Sequence, residues 1–246
     1  MCRNKFKYAQ VNANQAVVDV FSGKDSVEVF EMFLNEDIRN HIITESVRYA
    51  RQKNDQDFQL DDNDMRRFTG ILLLTGYHTL PQQQLYWERS QDVSMPIVYQ
   101  TMSRNRFRDI KRNMHLADNE QLLSDSSDKL FKVRPLYDLM NKSLNQFQVW
   151  HRDLSIDEQM IPYTGRHSAK QTNGEKSVRF GYKNFCLTSS DGYPYHILPY
   201  AGAKGLNGTS GKNLTVRNFV KTCDVALCIP NDHFTLYHTV KDLSAI

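Results

Sequence analysis

Through most of the first 150 positions, apolar residues return at three- and four-residue intervals, the spacing of one face of a helix. Asp25 and Ser26 offer capping oxygens ahead of Val27, Phe30, Phe33, Leu34, Ile38, Ile42, Ile43 and Val47, which form one stripe on one predicted helix. Polar residues Arg51 to Asp57 end it. Asp62 and Asn63 cap a second helix with Met65, Phe68, Ile71, Leu72 and Thr75, and Pro81 lies just past its end. A third begins near Ser103 and carries Phe107, Ile110 and Met114. The stretch from Asp118 to Asp128 is polar and reads as a loop. Pro135, tolerated in a first helical turn, opens a fourth helix with Leu136, Leu139, Met140, Leu144 and Phe147 on one face.

The pattern changes after Trp150. Leu154 to Tyr163 partly alternates, as a strand does, and Gly165 to Lys176 is a polar loop. Phe180–Leu187 and Tyr193–Tyr200 are rich in aromatic and β-branched residues, with Asp191-Gly192 between them as a hairpin signal. Gly202 to Gly211 is another loop. Asn213 or Thr215 starts a helix using Val216, Phe219, Val220 and Cys223, and Val225 to Ile229 is a short strand. Tyr237, Val240 and Leu243 have helical spacing. A helical front followed by strand, hairpin, helix and strand predicts an α/β chain, α+β overall. The expected partition is a tail (1–24), a helical region (25–150) and a sheet-bearing domain (151–246).

Composition permits this. Of 246 residues, 40% are hydrophobic, and thirteen Phe and twelve Tyr supply core material, which excludes general disorder. The net charge of +3 is too small to argue for nucleic acid; the placement of the charges matters more. Four cysteines do not make a disulfide scaffold, and Cys223 and Cys228 lack the second pair of a zinc site, so buried free thiols are expected. The first fifteen residues lack a signal peptide's apolar run, and Gly70–Gly76 is too short to span a bilayer. A soluble chain of the cytosol or nucleus is expected, with no membrane partner. Walker A, dinucleotide and GxSxG motifs are absent.

Asp157 and Glu158 interrupt an otherwise apolar strand. Neighbours on a strand point to opposite faces, so at least one carboxylate must meet solvent or a cation. Two readings stand: a solvated pair, or a ligand for the Mg²⁺ ions that assist phosphoryl transfer on DNA. Farther upstream, Arg104, Arg108, Lys111 and Arg112 share one helix face, with Phe107, Ile110 and Met114 facing elsewhere. That face either grips phosphates or is simply solvated. Lys170, Lys176, Arg179 and Lys183, joined by Arg166, form a second basic region after the acidic pair, suited to an approaching DNA backbone. His167, His196 and His233 show no paired metal spacing, and Trp87 and Trp150 read as core anchors.

Ser155-Ile156-Asp157-Glu158-Gln159-Met160 with Gly165-Arg166 resembles the first catalytic block of piggyBac-type transposases. Phe180-Gly181-Tyr182-Lys183, Tyr193-Pro194-Tyr195 and Tyr200-Ala201-Gly202 follow in that family's order. Upstream, Arg66 to Tyr77, Leu80-Pro81, Leu85-Tyr86-Trp87 and Met102 to Phe107 resemble its helical opening. The resemblance implies an RNase H-like core with a mixed sheet and flanking helices, and a triad of aspartates holding Mg²⁺. Asp157 matches the first. For the second, an ungapped match of Phe234-Thr235 selects Asn231, and a one-residue deletion selects Asp232; as a carboxylate, Asp232 is the candidate ligand. The third aspartate and the family's Cys-rich zinc region are expected beyond Ile246, so the chain as given is expected to transpose little or not at all. The implied partners are DNA at transposon ends and a second copy of the chain, in the nucleus. The alternative is a domesticated or decayed remnant that binds DNA, or dimerises, without cutting.

Overall fold

The computed structural model describes residues 17–121, 128–147, 154–174, 177–189 and 192–202, together with the backbone of 238–240. Its contacts group the chain into two compact units, residues 36–122 and, from the two flanking segments, residues 1–35 with 123–246. The expected partition at 150 follows the change of periodicity; the contacts group the chain otherwise, because helices from both sides of the first unit pack into the second.

The stripe expected to be one helix is two, α1 (Ser26–Phe33) and α2 (Glu36–Gln52). Asp25 caps α1 by accepting from the amides of Val27 and Glu28, and the Glu28 carboxylate accepts in turn from the Asp25 amide, a full capping box. The break falls at Leu34, whose backbone leaves the helical region at φ −93° and ψ 63°. Asn35 followed by Glu36 and Asp37 is the composition of a fresh helix start, with acids in the first turn where the helix dipole favours them. The apolar periodicity ran across this signal and concealed it.

The unit of residues 36–122 is helical. It holds α2, α3 (Asp62–Tyr77), a 3₁₀ turn (Gln83–Trp87), α4 (Pro96–Thr101) and α5 (Arg104–Asn113). Asp61, one residue before the expected cap, accepts from the Asp64 amide and starts α3. Ser103 caps α5 as expected, accepting from the Arg106 amide at 3.2 Å. Ile38, Phe68, Val98, Phe107 and Ile110 are almost fully buried. The Phe107 ring lies 4.8 Å from that of Phe68 and 4.9 Å from that of Trp87, so Trp87 is the core anchor its sequence context suggested.

The other unit carries α1, α6 (Arg134–Asn145) and a sheet of β1 (Leu154–Pro162), β2 (Gln171–Thr172), β3 (Phe180–Ser189), β4 (Pro194–Tyr200) and β5 (His238–Val240). The order is β2-β3-β1-β5, and β4 also pairs with β3. Every pairing among the described strands is antiparallel. The expected combination of helices and sheet is present; a mixed sheet was named, and the described pairings are antiparallel, the β3–β4 turn being too short for a parallel crossover. Gly192 takes φ +91° in the β3–β4 turn and donates to the Ser189 carbonyl, the role its sequence context assigned. Residues 238–240 form a strand where helical spacing was expected: the spacing there was short, and a free strand edge on β1 outweighs it. The helix and strand expected between Asn213 and Ile229 lie outside the described residues.

Helix α6 packs on β4 through polar groups that periodicity alone does not reveal. Asn141, 8% exposed, both accepts from the Ile197 amide (2.8 Å) and donates to its carbonyl (3.0 Å). One side-chain amide thereby occupies two outward-facing groups of an edge strand. Ser143 donates to the carbonyls of Met32 and Phe33, satisfying the C-terminus of α1.

Candidate functional site

Strand β1 sets the site. Its partners along β3 run from Leu154↔Ser189 to Pro162↔Gly181, with Asp157 opposite Cys186 and Glu158 opposite Phe185. Alternation puts Asp157, Gln159 and Ile161 on one face and Glu158 and Met160 on the other. The two faces differ. Asp157, Gln159 and Ile161 are exposed, whereas Glu158 and Met160 are half-buried.

The adjacent carboxylates therefore have separate roles. Glu158 accepts from Asn173 Nδ2 at 3.0 Å and pairs with the Lys183 ammonium, both side chains being about four-fifths buried. Lys183 also lies over the Phe185 and Tyr200 rings, at 4.7 and 5.4 Å. Lys183 was grouped by sequence with the DNA-facing cations; its charge is engaged here by Glu158 and the rings. Asp157 looks the other way. Its Oδ1 accepts from the Glu158 amide at 2.7 Å, which fixes the carboxylate at the strand surface. Burial, and next the negative charge of Asp157, push the Cys186 thiol up to about 11, as expected for facing partners on one surface.

A polar chain borders this face. Tyr137 of α6 donates to Asn184 Oδ1 at 3.0 Å, and Gln159 Oε1 accepts from Asn184 at 3.4 Å and from the Cys186 thiol at 3.7 Å. On its other side β1 pairs with β5 from Leu154↔Val240 to Ile156↔His238. The strand following Phe234 is thus the direct neighbour of the strand bearing Asp157. Asp232 and Asn231 themselves lie outside the described residues, as does Lys176. Among the described residues no group of three or more His, Cys, Asp or Glu converges.

Of the second basic region, Arg166 and Arg179 are exposed and Lys170 is half-buried, its ammonium donating to the Gly165 carbonyl at 3.2 Å. In the helical unit, Arg104, Arg108, Lys111 and Arg112 of α5 all reach solvent, while Phe107 and Ile110 are buried. Arg108 and Arg112 line a hollow of about 350 Å³ with Asn105 and Asp109. Arg106, between Arg104 and Arg108 in sequence, is excluded from this surface: it pairs with Asp64 and donates to the Gln59 carbonyl at 2.6 Å. Arg112 is loosely balanced by Asp109 at 3.4 Å and Asp55 at 3.7 Å. No helix among the described residues is long and apolar enough to cross a membrane.

The profile of the family described as Transposase IS4 matches residues 25–233, and the chain belongs to that transposase family, on its piggyBac side. It is 37% identical over 175 residues to human PiggyBac transposable element-derived protein 3, and 38% identical over 176 to human PiggyBac transposable element-derived protein 2. Those alignments cover 71% and 72% of this chain and 29% of each relative, so the chain spans less than a third of their length. The fold is that of a piggyBac transposase solved by cryo-EM in a synaptic complex with hairpin DNA, at a TM-score of 0.69 and 23% identity over 83% of this chain and 44% of that one.

Proposed function

We propose that this chain is a DNA-binding module derived from a piggyBac transposase, with Asp157 contributing one ligand to a divalent-metal site for phosphodiester chemistry. The carrying observation is the division of labour in Asp157-Glu158. Glu158 is occupied in the sheet by Lys183 and Asn173, while Asp157 is held on the exposed face beside the strand that follows Phe234. The solved relative is a synaptic complex with hairpin DNA, which supports DNA as the partner.

Transposases of this type typically use a divalent metal. A hard cation takes oxygen ligands, and an exposed carboxylate meets that need. The described residues supply one such ligand, and Asp232 is the proposed second. Mg²⁺, when bound, would neutralise developing phosphate charge and activate the attacking oxygen. The protein's own part is to hold Asp157 in place through the Glu158 amide, and to draw the backbone in with Arg166 and Arg179. The α5 face of Arg104, Arg108, Lys111 and Arg112 adds phosphate contacts. Element ends in the nucleus are the proposed target. A homodimer is also proposed; the exposed Leu72, Leu73 and Tyr77 of α3 are apolar surface available to it. Velocity sedimentation yielding monomer alone at micromolar concentration would remove the dimer.

The test is nicking of an element-end duplex in Mg²⁺ alongside binding at graded salt. Metal-dependent nicks that vanish in Asp157→Ala, with binding retained, support a catalytic module. Salt-sensitive binding without nicks supports the second reading, a remnant that holds DNA uncut. Failure to bind any duplex at low salt defeats both.

A further inference from the structure

The exposed face of β1 continues past Asp157 into a run of aromatic rings. Tyr163 lies six positions beyond Asp157, about 20 Å at strand rise, and the same alternation carries Ile161, Tyr182 and Phe180 on this face. Tyr163 and Tyr182 have ring centroids 4.9 Å apart, and His167 sits edge-on to Tyr182 at 5.5 Å. Tyr182 packs against the buried cluster of Leu130, Ala169 and Ala201. Phe180 remains 55% exposed, Ile161 39% and Tyr163 36%.

Single exposed apolar residues need no explanation. This group differs in being contiguous, fixed and interleaved with cations. The Tyr163 ring lies against bare Gly165, whose missing side chain leaves room for it beside the β1–β2 loop. Gly181 likewise admits the Ile161 carbonyl, drawing the ends of β1 and β3 together. Lys170 lies 5.6 Å from the Phe180 ring centre, and Arg166 and Arg179 are exposed on the adjoining loop and strand approach. The Glu158 carboxylate, the nearest acid along β1 after Asp157, is on the opposite face and neutralised by Lys183.

We infer that this surface stacks the unpaired bases of a DNA strand that leads to Asp157. Every base has a π-face, so stacking on Phe180 and Tyr163 is indifferent to sequence, while Lys170, Arg166 and Arg179 attract the backbone. A fully paired duplex keeps its base faces stacked inside and offers these rings nothing. The inference rests on the DNA-binding reading and deepens it: the preferred ligand at this end of the sheet is single-stranded.

The test uses the full chain with a twelve-nucleotide single strand containing 2-aminopurine, and a blunt duplex of equal length. Phe180→Leu keeps the apolar bulk and removes the ring; Phe180→Tyr restores a ring. The expected result is fluorescence quenching by the wild type, about tenfold weaker single-strand binding in Phe180→Leu, recovery in Phe180→Tyr, and duplex binding within about twofold throughout. Circular dichroism shows whether each variant is folded; for an unfolded Phe180→Leu, Phe180→Ser and Phe180→Gln make the same comparison. Equal losses for strand and duplex, or no loss at all, overturn the inference. A wild type that binds duplex but no single strand overturns it while sparing the DNA-binding reading, and a wild type that binds neither overturns both.

Discussion

Asn141 illustrates how much a single polar side chain can hold. Its amide occupies both the donor and the acceptor of Ile197 on the edge of the sheet. Asn141→Ala leaves both groups unsatisfied near the protein interior, at a cost of about 2–3 kcal/mol, readable in urea unfolding. Ionisation tests the surroundings of Asp157 in the same way. Burial raises the Cys186 thiol to about 11 from an ordinary 9.0 and the Tyr193 hydroxyl to about 12 from 10.0. The folded chain keeps these protons longer than the unfolded chain. Their contribution is therefore full below pH 9.0 and is lost as pH rises through 9 to 12. The melting temperature is expected to fall across that interval. Asp157→Asn removes a negative charge facing Cys186, so its thiol should alkylate faster at about pH 8, though burial keeps it slower than a free cysteine. His196 is pushed in the opposite sense: burial lowers it, so its contribution is present above its ordinary 6.5 and lost as pH falls below that value.

At the scale of elements, α5 carries two functions on two faces, and they can be separated. Phe107→Ala removes a fully buried ring and should cost about 3–5 kcal/mol. Arg108→Gln with Arg112→Gln touches only exposed charge, so stability should stay within about 0.5 kcal/mol. The slope of log affinity against log salt for duplex DNA should nevertheless flatten by about 0.9 for each phosphate no longer neutralised. Unchanged salt dependence would remove α5 from the DNA interface. Helix α5 was legible in the sequence, because Ser103, Phe107 and Ile110 supply both cap and period, although Met114, expected on it, falls just past its end at Asn113. The break between α1 and α2 was not, since an unbroken apolar stripe masked the start signal at Asn35. Nor was α4, whose six residues give too short a window for periodicity. The opposite fates of Asp157 and Glu158 were legible as alternation. Which of the two faced outward depended on Asn173 and Lys183, distant in sequence and brought together only by strand pairing.

For the whole molecule, order along the chain and grouping in space differ. Residues 36–122 form their own core, while α1 joins α6, more than a hundred residues later, through Ser143 and through Phe147 just past the helix end, whose ring lies 5.1 Å from that of Phe33. No periodicity could announce that pairing. The family and the strand bearing Asp157 were evident from ordered sequence blocks, whereas the edge covered by Asn141 and the aromatic surface beyond Ile161 needed coordinates. The proposed chemistry turns on which side of β1 meets nucleic acid. Photocrosslinking decides this directly, with a benzophenone side chain at position 159 or 160 and a labelled element-end duplex. Strong adducts from Gln159→benzoylphenylalanine and few from the same replacement of Met160 are predicted; equal yields, or the reverse, would contradict it.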